Sequence, residues 1–116
     1  MFDVFQISSS ILEACVIAVL HKGDAYGYTL TQSVRQRIGI SESTLYPVLR
    51  RLEKEGHLIT YEEKQSGRLR RYYRLTESGM LEYEKNKQKW AEYCQRIESI
   101  LYDNNQDQKE EKNETL

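Results

Sequence analysis

A chain of 116 residues with 39% hydrophobic and 30% charged side chains is one domain by length, with apolar material for a modest single core. Two cysteines exclude a disulfide framework, and the apolar run Ile11–Leu20, broken by Glu13, falls far short of the roughly 20 residues that span a bilayer. The net charge of −1 argues against a nucleic-acid partner only until it is mapped: from Arg35 to Arg74 ten Lys or Arg stand against five Glu, a balance of +5, and the remainder of the chain is at −6.

Met1 to Gln6 carries no Lys or Arg, so it lacks the positive region of an export signal, and the chain reads as cytoplasmic. A first helix is predicted from Ser8 or Ser10 to His21, with Ser10 and Glu13 as a capping box. Leu12, Cys15, Val16, Val19 and Leu20 form its apolar stripe, and Gly23 ends it. A second helix follows over Tyr26–Arg37 with Leu30 and Val34 inward. Gly27, a poor helix former, marks a place where another backbone packs close. Ile38-Gly39-Ile40 is then a tight inter-helix turn.

The third helix, capped by Ser41 and stopped by Gly56, organises the chain. Leu45, Val48, Leu49 and Leu52 share its inner face. Ser43, Pro47, Arg50 and Lys54 share the outer one, flanked by Tyr46 and Arg51. Pro47 falls in the second turn, so the helix either starts later, near Ser43, or bends there. Two β-rich runs follow, His57–Glu63 and Arg68–Thr76, separated by the turn residues Lys64-Gln65-Ser66-Gly67. A helix with a polar outer face that leads into a basic hairpin is the order of parts in a winged helix-turn-helix.

These residues also resemble a known family. Gly23, Tyr26-Gly27-Tyr28 and Leu30, then SESTLYPVLRRLEKEG, then GRLRRYYRLTESG, are similar to the PadR family of bacterial transcriptional regulators, over roughly residues 8 to 101. The long last helix with a single Trp resembles the smaller subfamily, which has one C-terminal helix. The resemblance implies a DNA-binding repressor that faces DNA with the Pro47 position, and a Trp that lines an inter-subunit cavity for flat hydrophobic compounds. Trp90 and Tyr93 are accordingly the candidate effector-binding residues.

The last helix is predicted over Glu77–Tyr102, capped by Thr76. Met80, Tyr83, Lys87, Trp90, Cys94, Ile97 and Leu101 repeat at alternating spacings of three and four, a heptad seam. At about 39 Å such a helix would overhang a small domain, and an identical chain is the simplest partner for the overhang. The expected interface is Tyr83, Trp90, Cys94, Ile97 and Leu101, with Leu12 and Val16 of the first helix behind them. From Asp103 on, no apolar residue occurs before Leu116, and the stretch reads as disordered.

The expected architecture is mainly α with a small β-hairpin: a winged helix-turn-helix domain at 1–76, a dimerisation helix at 77–102 and a polar tail at 103–116. Ser43, Thr44, Tyr46 and Pro47 are assigned to base edges, because the start of a recognition helix lies deepest in the groove. Arg50, Arg51 and Lys54 are assigned to phosphates, and Lys64, Ser66, Gly67, Arg68 and Arg70 to the tip and rim of the wing. The expected partners are an inverted-repeat DNA operator, a second copy of the chain and a flat hydrophobic effector, with no membrane. His21 and His57 stand alone, with no Cys, Asp or Glu at ligand spacing, and no phosphate loop or nucleophile elbow occurs. No metal, cofactor or catalytic activity is expected. The competing reading is a winged-helix module that binds proteins without reading DNA, but such a module has no need of arginines interleaved with tyrosines at Arg68–Arg74.

Overall fold

In the computed structural model, which describes residues 6 to 103, the elements run α1 (Ser9–His21), β1 (Ala25–Tyr26), α2 (Gly27–Ile38), α3 (Glu42–Lys54), β2 (Leu58–Gln65), β3 (Arg68–Leu75) and α4 (Glu77–Leu101). The expected mainly helical winged fold is present. The polar tail lies outside the described residues except for Asp103.

Each helix start follows from local hydrogen bonding. Ser8 caps α1, its Oγ accepting from the Ile11 amide at 3.3 Å. The expected Ser10–Glu13 box does not form, because the helix is capped two residues earlier, at Ser8, and Glu13 turns to Arg51, at 3.1 Å. Gly39, at φ 85°, closes α2 in the left-handed region that glycine enters without penalty. Arg35 clasps the turn beyond it: its Nε donates to the Ile40 carbonyl at 3.3 Å, and its guanidinium lies 3.7 Å from Glu42. α3 begins at Glu42 and runs through Pro47. The proline leaves the Ser43 carbonyl without its usual donor, which is tolerable where that turn is exposed to water.

The sheet was only partly foreseen. Its order is β1-β3-β2, all antiparallel, and the two-residue strand β1 pairs Ala25 with Tyr73 and Tyr26 with Tyr72. Two residues are too few for periodicity to register. The hairpin is also longer than expected, with Lys64 and Gln65 inside β2. The turn is Ser66-Gly67, both at positive φ (52° and 78°), the type I′ geometry that suits strand twist.

The core is built from Leu12, Val16, Ile17 and Leu20 of α1, Leu30 and Val34 of α2, and Leu45, Val48, Leu49 and Leu52 of α3, closed by Leu58, Tyr73 and Leu75 of the hairpin. At about 1.5–3 kcal/mol per buried aliphatic side chain, this cluster holds α3 so that its opposite face stays in water. Leu12 and Val16 are each 1% exposed within this core, which corrects their assignment to an inter-chain interface: they have no surface left to offer a second chain.

Contacts divide the chain into two units, one through residue 85 and one from residue 86 on, whereas the sequence suggested a boundary at 76/77. The first turns of α4, through Lys85, belong to the first unit. Thr76 Oγ1 accepts from the Gly79 amide at 3.2 Å, capping α4 as expected, and donates to the Gly56 carbonyl at 2.6 Å. Gly79 is buried, and a Cβ there would fall on the His57 carbonyl oxygen. Tyr83 stacks on His21 of its own chain, ring centroids 3.7 Å apart. In the second unit, α4 exposes Trp90, Tyr93, Ile97, Ile100 and Leu101, and Cys94 is half-buried. None of the described helices is long and apolar enough to cross a membrane.

Candidate nucleic-acid interface

The outer face of α3 is the first component. Ser43, Thr44, Tyr46, Pro47, Arg50 and Lys54 are all exposed, whereas Leu45, Val48, Leu49 and Leu52 opposite them are buried. Ser41 does not cap a backbone amide as expected. Its Oγ bonds Ser43 Oγ at 3.0 Å and Thr44 Oγ1 at 2.9 Å, so three hydroxyls form a small polar cluster at the start of the helix. A surface of hydroxyls, a phenol and a flat ring offers donors, acceptors and apolar contact of the kinds that read base edges.

Arg51 stands apart from this face. Its Nε lies 3.1 Å from Glu13 Oε2, which ties α3 to α1. Burial raises the Glu13 carboxyl above its ordinary range, and the Arg51 charge works against that rise. The phosphate role expected of Arg51 therefore competes with an ion pair already made inside the chain. Spacing alone put Arg50 and Arg51 side by side; the 100° between them sends one outward and the other against α1.

Strand parity divides the wing arginines. Leu69, Arg71, Tyr73 and Leu75 lie on the side of β3 that closes the core, and Arg68, Arg70, Tyr72 and Arg74 lie on the other. On that other side Tyr26, Tyr72 and Tyr61 form a ladder with centroid separations of 6.0 and 5.6 Å. The Arg70 guanidinium sits over the Tyr26 ring at 4.6 Å, and its buried Nε has no hydrogen-bond partner. Arg70, assigned from the sequence to the rim of the wing, is thereby also held against the short strand β1. Arg74 lies over Tyr61 and pairs with Asp24 at 3.0 Å, and the Tyr61 hydroxyl donates to the same carboxylate at 2.7 Å. That hydrogen bond is the main reason the Tyr61 pKa is raised. Lys64, Ser66, Gly67 and Arg68 are exposed at the hairpin tip, as expected.

The ten cations between Arg35 and Arg74 thus sort by structure. Arg35, Arg51 and Arg74 are ion-paired and Arg70 is stacked, whereas Arg37, Arg50, Lys54, Lys64, Arg68 and Arg71 make no ion pair among the described residues. An open groove of about 480 Å³ joins the helix to the wing, lined by Tyr26, Gly27, Tyr28, Tyr46, Leu49, Arg50, Glu53, Arg71 and Tyr73. A Cβ on Gly27 would meet the Tyr73 ring at 3.1 Å. The close approach foreseen there is to a side chain of β3 more than to a backbone. Among the described residues no cluster of three or more His, Cys, Asp or Glu could hold a metal ion.

The model of the transcriptional regulator PadR-like family matches residues 16–85, more than half of the chain. The chain belongs to the PadR-like family. A Streptococcus mutans protein of known crystal structure is 37% identical, with a TM-score of 0.79 over 85% of this chain and 93% of that one. A PadR-like transcriptional regulator from Bacillus cereus is 28% identical, with a TM-score of 0.72 over 79% of this chain and 92% of its own. The transcriptional regulator Rv3488 of Mycobacterium tuberculosis is 42% identical over 57 residues, 48% of this chain and 53% of that protein. In this PadR-like regulator, Asp24, Arg35 and Arg71 are the residues that sequence reasoning passed over. Only Arg71 had a sequence signal, its place in the run Arg68–Arg74.

Proposed function

We propose that this transcriptional regulator is a homodimeric, sequence-specific DNA-binding repressor that acts in the cytoplasm and is released by a flat hydrophobic effector or another signal. It works by occupying DNA and has no catalytic step of its own. The observation that carries the reading is the outer face of α3. Ser43, Thr44, Tyr46, Pro47, Arg50 and Lys54 are held in water by a core on the opposite side, next to a wing whose tip presents Lys64 and Arg68. The helix supplies groups that read base edges, and the cations supply the sequence-independent attraction to phosphate.

Dimerisation has its support in the second unit. Trp90 is 51% exposed, Ile97 40% and Leu101 67%, an apolar row at heptad spacing with Tyr93, 53% exposed, beside it, and such a row costs free energy in water unless covered. A two-fold pair of chains would double the base contacts and read an inverted repeat. Trp90 and Tyr93, with ring centroids 5.9 Å apart, are the groups on which a flat effector would stack.

Selection of bound sequences from a random duplex library tests the reading. The wild-type protein should enrich an inverted repeat with half-sites about one helical turn apart. Tyr46→Ala should lose the preference while keeping affinity for random DNA. Ile97→Asp should sediment as a monomer and enrich no repeat, because it buries an unpaired carboxylate in the seam. Enrichment of nothing by the wild type, or an Ile97→Asp monomer that still selects the full repeat, would refute the proposal.

A further inference from the structure

The groove between α3 and the wing is lined by two exposed residues to which the sequence reading gave no DNA-binding role, Tyr28 and Arg71. Arg71 is exposed on the core-facing side of β3, makes no ion pair among the described residues, and lines the groove together with Arg50 and Tyr46 of α3. Tyr28, 56% exposed, is the second residue of α2 and lines the same groove. Its hydroxyl accepts a hydrogen bond from Gln32 Nε2 at 2.8 Å, which orients it, and its own proton has no acceptor among the described residues. Glu53 is the one acid in the lining, and its carboxylate accepts the Thr60 hydroxyl at 3.3 Å. Among the lining residues two guanidinium groups stand against one carboxylate, with Glu62 opposite Arg71 in the β2–β3 ladder.

We propose that this groove holds the sugar-phosphate backbone of bound DNA, with Arg71 and Arg50 as charge partners of its phosphates and the Tyr28 hydroxyl as a neutral donor. The inference rests on the DNA-binding reading above. It also changes how the wing works. By parity, Arg70 is on the opposite side of β3, stacked on Tyr26, so the arginine of the Arg70-Arg71 pair that faces the DNA is Arg71. The wing then adds to the interface along the strand as well as at the tip, and α2, which serves only as support in the sequence reading, contributes a contact.

The test is a salt titration of binding between the full-length protein and a duplex of random sequence. Wild type and Arg50→Gln set the scale: loss of Arg50 should flatten the slope of log affinity against log salt by about 0.9. Arg71→Gln should flatten it by the same amount at unchanged melting temperature, and Arg71→Lys, which keeps the charge, should restore it. Tyr28→Phe should weaken binding about three- to tenfold with the slope unchanged, since it removes a hydrogen bond and no charge. If Arg50→Gln flattens the slope but Arg71→Gln does not, the groove assignment is wrong and the DNA reading stands. If Arg71→Lys behaves like Arg71→Gln, with both melting early, Arg71 is structural and the proposal fails. If wild type does not bind the duplex at all, both readings fall.

Discussion

Arg50 and Arg51 are adjacent in sequence, and the structure separates their roles sharply enough to measure. Arg51 is bonded to Glu13 across the α1–α3 contact at 3.1 Å, with its own side chain 49% exposed and that of Glu13 21%. Exposed pairs contribute about 0.2–1 kcal/mol, and the half-burial of Glu13 places this one near the top of that range. Arg51→Ala also strands the carboxylate in a partly desolvated site. We therefore expect a loss of about 1 kcal/mol, which for a domain of this size lowers Tm by about 4 °C or slightly more. Arg50→Ala removes a cation with no ion pair among the described residues, so Tm should stay put while the salt slope for duplex DNA falls by about 0.9. Thermal unfolding followed by circular dichroism gives the first quantity, and a fluorescence anisotropy titration across salt gives the second. A cycle with Glu13→Gln isolates the pair, since Arg51→Ala in that background should cost little more. The reasoning fails if Arg51→Ala melts like wild type and flattens the slope as much as Arg50→Ala does.

Three further outcomes follow from particular contacts. Arg70→Ala should lower stability by about 0.5–1 kcal/mol through loss of the stack on Tyr26, and Arg68→Ala should leave it unchanged; equal urea midpoints would remove the structural role given to Arg70. Gly79→Ala should cost about 1–3 kcal/mol, because the new methyl must displace the His57 carbonyl and the Leu75 side chain; a wild-type melting curve would mean the wing–α4 junction yields freely. Glu13 provides the pH dependence. Its raised pKa means that the folded protein binds more protons than the unfolded chain, so that contribution is fully present below about pH 4.5 and lost as pH rises through the folded-state value. Glu13→Gln should therefore gain on wild type in urea unfolding as pH is raised from about 4 to 7, and the opposite trend would mean that the Arg51 pair outweighs burial.

Taken alone, the sequence determined the third helix and its two faces. The spacing of Leu45, Val48, Leu49 and Leu52 is a property of one segment, and burying that stripe forces Ser43, Tyr46, Pro47 and Arg50 outward whatever they pack beside. It also determined the hairpin, because alternation and a Ser-Gly turn are equally local. Tertiary structure alone decided which arginine does what. The claims of Asp24 on Arg74, Glu13 on Arg51 and Tyr26 on Arg70 are made across 50, 38 and 44 residues of chain. No periodicity within a segment carries such pairings. The same holds for Gly79, whose missing side chain makes room for a carbonyl 22 residues earlier, and for β1, whose two residues become a strand only because β3 arrives beside them. Local pattern sets which face of an element is polar; long-range packing sets which of its charges are left over to bind anything else.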